Sequence, residues 1–544
     1  MTVSGPVRAA RGILLAHTGH LPSGRGGHPL PTVPLDGAAY LRRIPESGSR
    51  LPGYLAEYSA RVAPTIASAR MRLFNTLTRE VADFAPRRAP HVDMYSCGPT
   101  VYTDQHIGNM RAYVFADTLK RVLRWKGFSV RHVINITDVG HLTSDADSGD
   151  DKLELAARIE RRSIWDIAEQ YTAEFKADLA RLRIVEPDVW CKATDHIPQM
   201  IAFAETLDRA GWCYQLESGL YFDTSKVPGY GHLARLDLAG QRAGARVEVI
   251  DGKRNPSDFA VWRTTAPGEL RQMEWDSPWG RGAPGWHLEC SVMSMEYLGP
   301  HFDIHTGGVD HIPVHHTNEI AQSEAYLGDS VPWVSWWLHG EFINLRGAKI
   351  SKSSGGGVLV TDLIERGYHP LVYRYLLLQA HYRSQVEFSW PAMDAARTGL
   401  RRLLDRFAAA RLAGPPRAPG RQAREYLSEF DDAVSEDLNT PRGIAAVIAA
   451  SRDERISQAE LTGLANQFEA VLAIGLGDLE PANLDLRASQ AAITEAEIES
   501  LLAERAAARN ARNFAAADAL RDKLTDAGVI VEDKPGGESS WRWG

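Results

Sequence analysis

His91-Val-Asp-Met-Tyr-Ser96 is followed by Cys97-Gly-Pro-Thr100 and then, from about residue 109 to 126, by apolar residues at helical spacing: Val114, Phe115, Leu119, Val122 and Leu123. The spacing predicts a strand, a loop and a helix, and Gly127 ends the helix. Ser129 to Ile136 is a second apolar, β-branched run and predicts another strand. Strand, helix and strand within about 45 residues make a βαβ unit, because parallel neighbours need a long crossover. The expected fold class is therefore α/β, a Rossmann-like parallel sheet with a nucleotide site at the carboxyl ends of its strands.

The rest of the 544 residues arranges itself around that unit. A chain this long predicts two to four domains, each of roughly 100–200 residues. Residues 150–184 are rich in charge and helical in pattern, and 219–290 mix strand and turn signals as an insertion in the sheet would. Residues 370–411 return to helical spacing, Gly414-Pro-Pro-Arg-Ala-Pro-Gly420 reads as a linker, and 423–475 as a small helical bundle. Residues 494–527 are helical with a break at Asn510–Asn513, before a short strand from Gly528. Residues 1–70 differ in kind, with eight prolines, nine glycines, eight arginines, three acidic residues and no lysine. They predict a disordered extension, or translated sequence upstream of a start at Met71, with an Arg-rich targeting segment as the alternative.

Composition is that of a globular protein, at 44% hydrophobic and 24% charged residues, and no apolar run is long enough to cross a bilayer. A net charge of −8 means that any nucleic-acid partner must be met by a local basic surface. Four cysteines in so long a chain are no disulfide framework, which predicts a reducing, cytoplasmic setting with thiolates available to metal.

Two stretches suit phosphate chemistry. In Pro99-Thr-Val-Tyr-Thr-Asp-Gln-His-Ile-Gly-Asn109, Gly108 leaves room for a nucleotide against backbone, and His106 and Asn109 can donate to phosphates at a helix amino end. In Lys349-Ile-Ser-Lys-Ser353, followed by Ser354-Gly-Gly-Gly357, Lys349 and Lys352 can neutralise charge developing at an α-phosphate. A third set suits a metal. Cys97, Cys290, His315 and Glu319 are reasonable zinc ligands, and the last two are four apart on one helix face. His311 and His316 stand as rival ligands, since the long spacing from Cys97 to Cys290 decides nothing locally.

The paired stretches resemble the ATP signatures of class I aminoacyl-tRNA synthetases, with Asn109 where many members have histidine and Ile350 in place of the usual methionine. Cys97-Gly-Pro-Thr, Gly285-Trp-His-Leu-Glu-Cys290, His301-Phe-Asp-Ile-His305 and His315-His-Thr-Asn-Glu-Ile-Ala-Gln322 resemble the cysteinyl-tRNA synthetase family more specifically. The resemblance covers about residues 71–544. It departs from the commonest family pattern at Val309–Val314 and at Val139–Asp147. The resemblance implies one Zn2+ on Cys97, Cys290, His315 and Glu319, joined by the substrate thiol, and Mg2+ accompanying ATP. It implies ATP contacts from His106, Gly108, Asn109 and Lys352, and places Thr137, Trp286, His305 and Asp310 around the cysteine.

The same resemblance implies activation of L-cysteine with ATP and transfer to tRNA(Cys) by a monomer. It divides the chain into an extension (1–70), a class I catalytic domain with an insertion (71–370), a helical stem-contact region (371–412) and a linker (413–422). A helical anticodon-side domain (423–490) and a C-terminal tRNA-binding segment (491–544) follow. Phe430-Asp-Asp-Ala-Val-Ser-Glu-Asp-Leu-Asn-Thr-Pro441 and residues 507–533 resemble the family's tRNA-binding parts. Arg505, Arg509, Arg512, Arg521 and Trp541 are suited there to phosphate contact and base stacking. Two alternatives stand beside it: a ligase joining cysteine to glucosaminyl-inositol in the mycothiol pathway, and a non-catalytic zinc protein that binds tRNA. Retention of both ATP signatures argues against the latter.

Overall fold

The computed structural model describes residues 70–140, 152–160, 162–235, 252–266, 268, 271–345, 357–486, 493, 495–533 and 539–543. The second ATP signature, Lys349–Ser353, therefore lies outside the described residues, as do residues 1–69 and most of Val139–Asp147.

Five parallel strands form the central sheet. They are β1 (His91–Ser96), β2 (Ser129–Ile136), β3 (Val189–Lys192), β4 (Phe302–Gly308) and β5 (Val334–Gly340). Their spatial order is β5-β4-β1-β2-β3. The expected crossover between β1 and β2 is helix α1 (Ile107–Trp125), so the βαβ unit forms as its periodicity requires. Apart from His91 at the start of β1 and Gly308 at the end of β4, both strands are buried throughout, which is why they show no alternation.

Strand order decides where a ligand can enter. The chain steps outward from β1 to β2 to β3, then returns to lay β4 against the other edge of β1. The helices on either side of that reversal diverge, and a crevice opens at the carboxyl ends of β1 and β4. Cys97 follows β1, and Gly307-Gly308 closes β4, so both sit at this switch point.

The insertion expected between residues 219 and 290 is a four-stranded antiparallel sheet built from Cys213–Leu216, Gly219–Phe222, Phe259–Thr264 and Gly282–Pro284. It delivers the chain to α2 (Trp286–Leu298), which carries Cys290. Gly285 at this junction admits no side chain: a Cβ there would stand 1.9 Å from the Ala260 carbonyl oxygen. After β4, α3 (His315–Leu327) carries the histidine pair and Glu319.

Beyond the sheet the chain is helical, with Pro370–Leu378, Trp390–Leu412, Arg421–Ser435, Thr440–Ala450 and Gln458–Leu472. A buried ion pair joins this region to α1: the Arg374 guanidinium donates to Asp117 at 2.5 Å and to the carbonyls of Leu182 and Leu472. Helices Glu495–Asn510 and Phe514–Asp526 precede a hairpin of Val529–Asp533 and Ser539–Trp543, with a small apolar core around Ile498, Leu524 and Val529. The break expected at Asn510–Asn513 is a helix restart, in which the Asn513 side chain caps the second helix by accepting from the Ala516 N–H.

Candidate active site and metal centre

A cleft of about 500 Å³ opens at the switch point. Its lining includes Cys97, His106, Gly108, Asn109, Trp286 and Asp310. His106 is the N-cap of α1, and its Nδ1 accepts from the Asn109 N–H at 3.1 Å. That bond leaves Nε2 as the protonated nitrogen, because a neutral imidazole has one donor and one acceptor. Burial lowers the His106 pKa from its ordinary value, so the ring is neutral at pH 7. Gly108 is required by packing: a Cβ there would stand 2.9 Å from the imidazole of His106. The segments on both sides of the second signature reach this turn. Ile343 lines the cleft, and on the far side the Val358 carbonyl accepts from the Ile107 N–H at 2.8 Å.

Cys97 lines the cleft, and behind it the thiols of Cys97 and Cys290, His315 and Glu319 converge, all buried, with their ligating atoms within 4.8 Å of one another. The two sulfurs are 3.8 Å apart. His315 Nε2 meets Glu319 Oε1 at 2.7 Å, one helical turn away on α3. A second set shares two members: Cys97, His305, His316 and Glu319 also fall within 4.8 Å. His316 Nε2 lies 3.3 Å from Cys97 Sγ, and its other nitrogen bonds His339 at 2.7 Å.

The electrostatics follow from these contacts. Burial pushes the Cys97 thiol well up, and the neighbouring Cys290 adds to it. The hydrogen bond from Cys97 brings the Cys290 thiol down to about 7 against the opposing effect of burial. Burial alone would lower His315, but Glu319 and Cys290 outweigh it and raise the ring to about 10. Glu319 is held well below the usual carboxylate range, because His315 and His305 overcome its burial. His316 and His339 are driven well below the usual histidine value by burial and are neutral. His311 is lowered to about 4 by burial and then by His315.

Two family models match the chain: the class I (C) tRNA synthetase catalytic domain at residues 83–398, and the cysteinyl-tRNA ligase anticodon binding domain at residues 494–542. A cysteine–tRNA ligase of Novosphingobium aromaticivorans is 51% identical over 489 residues, covering 88% of this chain and 98% of the relative. Cysteine–tRNA ligase 1 of Burkholderia lata is 49% identical over 469 residues, covering 86% and 96%. A cysteine–tRNA ligase of Thermus thermophilus is 39% identical over 481 residues, covering 86% and 98%. The chain belongs to the cysteinyl-tRNA synthetase family.

In this cysteinyl-tRNA synthetase family member, the structure places the expected site residues unequally. Cys97, His106, Gly108, Asn109, Trp286 and Asp310 face the cleft. The Trp286 ring lies 4.1 Å from that of His315, roofing the metal-type cluster. Thr137 and His305 are fully buried behind the cleft wall. His305 Nε2 bonds the second oxygen of Glu319 at 2.8 Å, with its ring stacked on Trp337. Thr137 Oγ1 donates to Glu289 at 3.0 Å. Lys349 and Lys352 lie outside the described residues.

Several residues of the synthetase site were not singled out by sequence reasoning. His287 backs His315, Nδ1 to Nδ1 at 3.1 Å, and His339 backs His316. Asn135 and Glu289 lie behind the thiols. Gly307 has no room for a side chain, because a Cβ would stand 2.6 Å from His316 and 2.7 Å from His311. His287 and Glu289 sit inside a motif that already drew attention, and that proximity was the one available signal. The buried Cys, His and Glu cluster suits a metal ion, and among the described residues no helix is long and apolar enough to cross a membrane.

Proposed function

We propose that this chain is an ATP-dependent cysteine–tRNA ligase, acting as a cytoplasmic monomer with one zinc ion and with magnesium accompanying ATP. It activates L-cysteine as the adenylate and passes the cysteinyl group to the 3′-terminal adenosine of tRNA(Cys). The observation that carries this reading is the convergence of Cys290, His315 and Glu319 on Cys97, which lines the same cleft as the His106–Asn109 turn. The match of residues 494–542 to an anticodon-binding domain favours tRNA over a sugar amine as the acceptor. All four cysteines are free and buried, which suits a reducing compartment.

The cluster fits zinc on a metric ground. Two sulfurs bound tetrahedrally at Zn–S distances of about 2.3 Å are separated by ~3.8 Å, and Cys97 and Cys290 stand 3.8 Å apart. Two thiolates also make this set softer than the alternative with His305 and His316, which contains one. In the chosen set, His305 is left to orient Glu319 and His287 to orient His315, as outer partners of metal ligands commonly do. Cys97, Cys290, His315 and Glu319 would hold the zinc, which supplies a site that prefers a thiolate to a hydroxyl and so separates cysteine from serine.

The chain's own groups act by position. The amino end of α1 directs the positive end of its dipole at the phosphates of ATP. His106 offers its Nε2–H to a phosphate oxygen while Nδ1 stays bonded to Asn109. Lys349 and Lys352 neutralise the α-phosphate charge from the second signature. The cysteine carboxylate attacks the α-phosphorus and pyrophosphate leaves. The adenosine hydroxyl then attacks the adenylate carbonyl and AMP leaves. No protein nucleophile is needed, and orientation with electrostatic stabilisation supplies most of the rate.

Cysteine-dependent ATP–pyrophosphate exchange tests the first step, and transfer to tRNA(Cys) or to glucosaminyl-inositol tests the second. Exchange with transfer to tRNA is expected, and Lys352→Ala slows exchange with metal content retained. Absence of exchange would overturn the reading. Transfer only to the sugar amine would replace it with the mycothiol-type ligase.

A further inference from the structure

We infer that Asn135 is a positioning residue that fixes the separation of the Cys97 and Cys290 thiols, and that it does so through one amide bonded toward both. The inference rests on the metal reading of the cluster given above. Asn135 is fully buried at the carboxyl end of β2. Its Oδ1 accepts the N–H of Gly98, the residue after Cys97, at 2.7 Å. The same oxygen lies 3.9 Å from Cys290 Sγ. Its Nδ2 donates to Thr137 Oγ1 at 3.0 Å, and Thr137 donates onward to Glu289, the neighbour of Cys290, at 3.0 Å.

The direction of this chain is determined. A backbone N–H can only donate, so the amide must present oxygen to Gly98 and nitrogen to Thr137. Turning it over would set two donors against each other. Thr137 then receives one hydrogen bond and has its own proton free for Glu289. One arm of Asn135 thus holds the loop of Cys97, and the other reaches through Thr137 to Glu289 in the first turn of α2, next to Cys290. The loop has no latitude of its own against β2: a Cβ at Gly98 would stand 1.5 Å from the Asn135 carbonyl oxygen. No covalent link joins the two thiols, so their 3.8 Å separation depends on contacts of this kind.

Among the described residues the side chain hydrogen-bonds neither the ATP turn at His106 nor any cleft-lining residue but Gly98, so its removal should be felt by the metal and the cysteine and not by ATP. The test uses the full chain loaded with cobalt(II), whose thiolate-to-metal absorption band reports sulfur ligation. In Asn135→Ala the band should weaken or shift, and zinc affinity by chelator competition should fall by about 10–100-fold. KM for cysteine should rise by at least about tenfold while KM for ATP stays within about twofold. Asn135→Asp preserves shape, loses the donor to Thr137 and brings charge toward the thiols; it should show the same losses, and it carries the comparison if the alanine variant does not fold. A wild-type band and wild-type zinc affinity in either folded variant would overturn the role of Asn135 alone. Absence of any thiolate band in the wild-type chain would overturn the metal reading together with it.

Discussion

Cys97 and Cys290 are 193 residues apart in sequence, and their sulfurs are 3.8 Å apart in the fold. A disulfide needs about 2.05 Å, so these are two free thiols directed at one point. Replacing one of them should remove the ion and spare the nucleotide site. Cys290→Ser is expected to lose most bound zinc and to raise KM for cysteine by more than the roughly 10–100-fold that losing an outer partner of a metal ligand costs, with KM for ATP within about twofold. Metal analysis of the purified variant with steady-state exchange kinetics checks this, and a full complement of zinc would show the ligand assignment to be wrong.

Metal affinity should rise steeply with pH. Without the ion, protons compete for the same lone pairs: His315 is raised to about 10, Cys97 well above its ordinary value, and Cys290 lies at about 7. Binding near pH 7 therefore displaces a proton from His315, one from Cys97 and part of one from Cys290. Affinity should increase by roughly 100- to 1,000-fold per pH unit between pH 6 and 7.5, because each displaced proton contributes about tenfold. Chelator competition at several pH values measures the slope, and an affinity flat in pH would exclude this protonation pattern.

Gly108→Ala should damage adenylate formation without touching the metal. The added Cβ would stand 2.9 Å from the His106 imidazole, which must leave its place at the start of α1. Losing the cap costs roughly 1 kcal/mol of helix stability. Displacing a phosphate donor by about 1 Å can lower the rate by up to ~100-fold. Pyrophosphate exchange should fall at least about tenfold on this ground, with zinc content unchanged. Exchange at the wild-type rate would remove the His106 arrangement from the mechanism.

The Arg374–Asp117 pair should matter for stability. Both side chains are fully buried, and Arg374 also satisfies the carbonyls of Leu182 and Leu472. Arg374→Met leaves Asp117 with Arg121 as its remaining ion-pair partner among the described residues. Breaking a buried pair from one side costs about 3–5 kcal/mol. A clearly lower unfolding midpoint is expected. Asp117→Leu combined with Arg374→Met should recover part of the loss, since no buried charge is then stranded. An Arg374→Met midpoint equal to wild type would show that the pair contributes nothing net.

Legibility in the sequence followed the range of the interactions. The β1–α1–β2 unit could be read because periodicity and a glycine stop are local properties, and the helix appears within two residues of its expected start. His315 and Glu319 could be paired because a helix brings residues four apart onto one face. The choice between His315 and His316 could not be made locally, as adjacent residues on a helix face different neighbours. The fold turns one toward Glu319 and His287 and the other toward His339. Asn135 gave no signal, being an unremarkable polar residue in an apolar strand until Gly98 and Thr137 are brought to either side of it. The strand Ser539–Trp543 was likewise unread, since its pairing partner makes it a strand.

The sequence by itself determined the α/β class, the strand-to-helix turn at His106–Asn109 and the inventory of side chains suited to a soft metal, because these depend on residue type and short-range spacing. The tertiary structure decided which of these side chains meet. It did so through the strand order β5-β4-β1-β2-β3, which opens the crevice beside Cys97, and through the insertion that returns Cys290 to it. Convergence of groups hundreds of residues apart is a property of packing and buried hydrogen bonds, and no local pattern in the chain encodes the distance between two sulfurs.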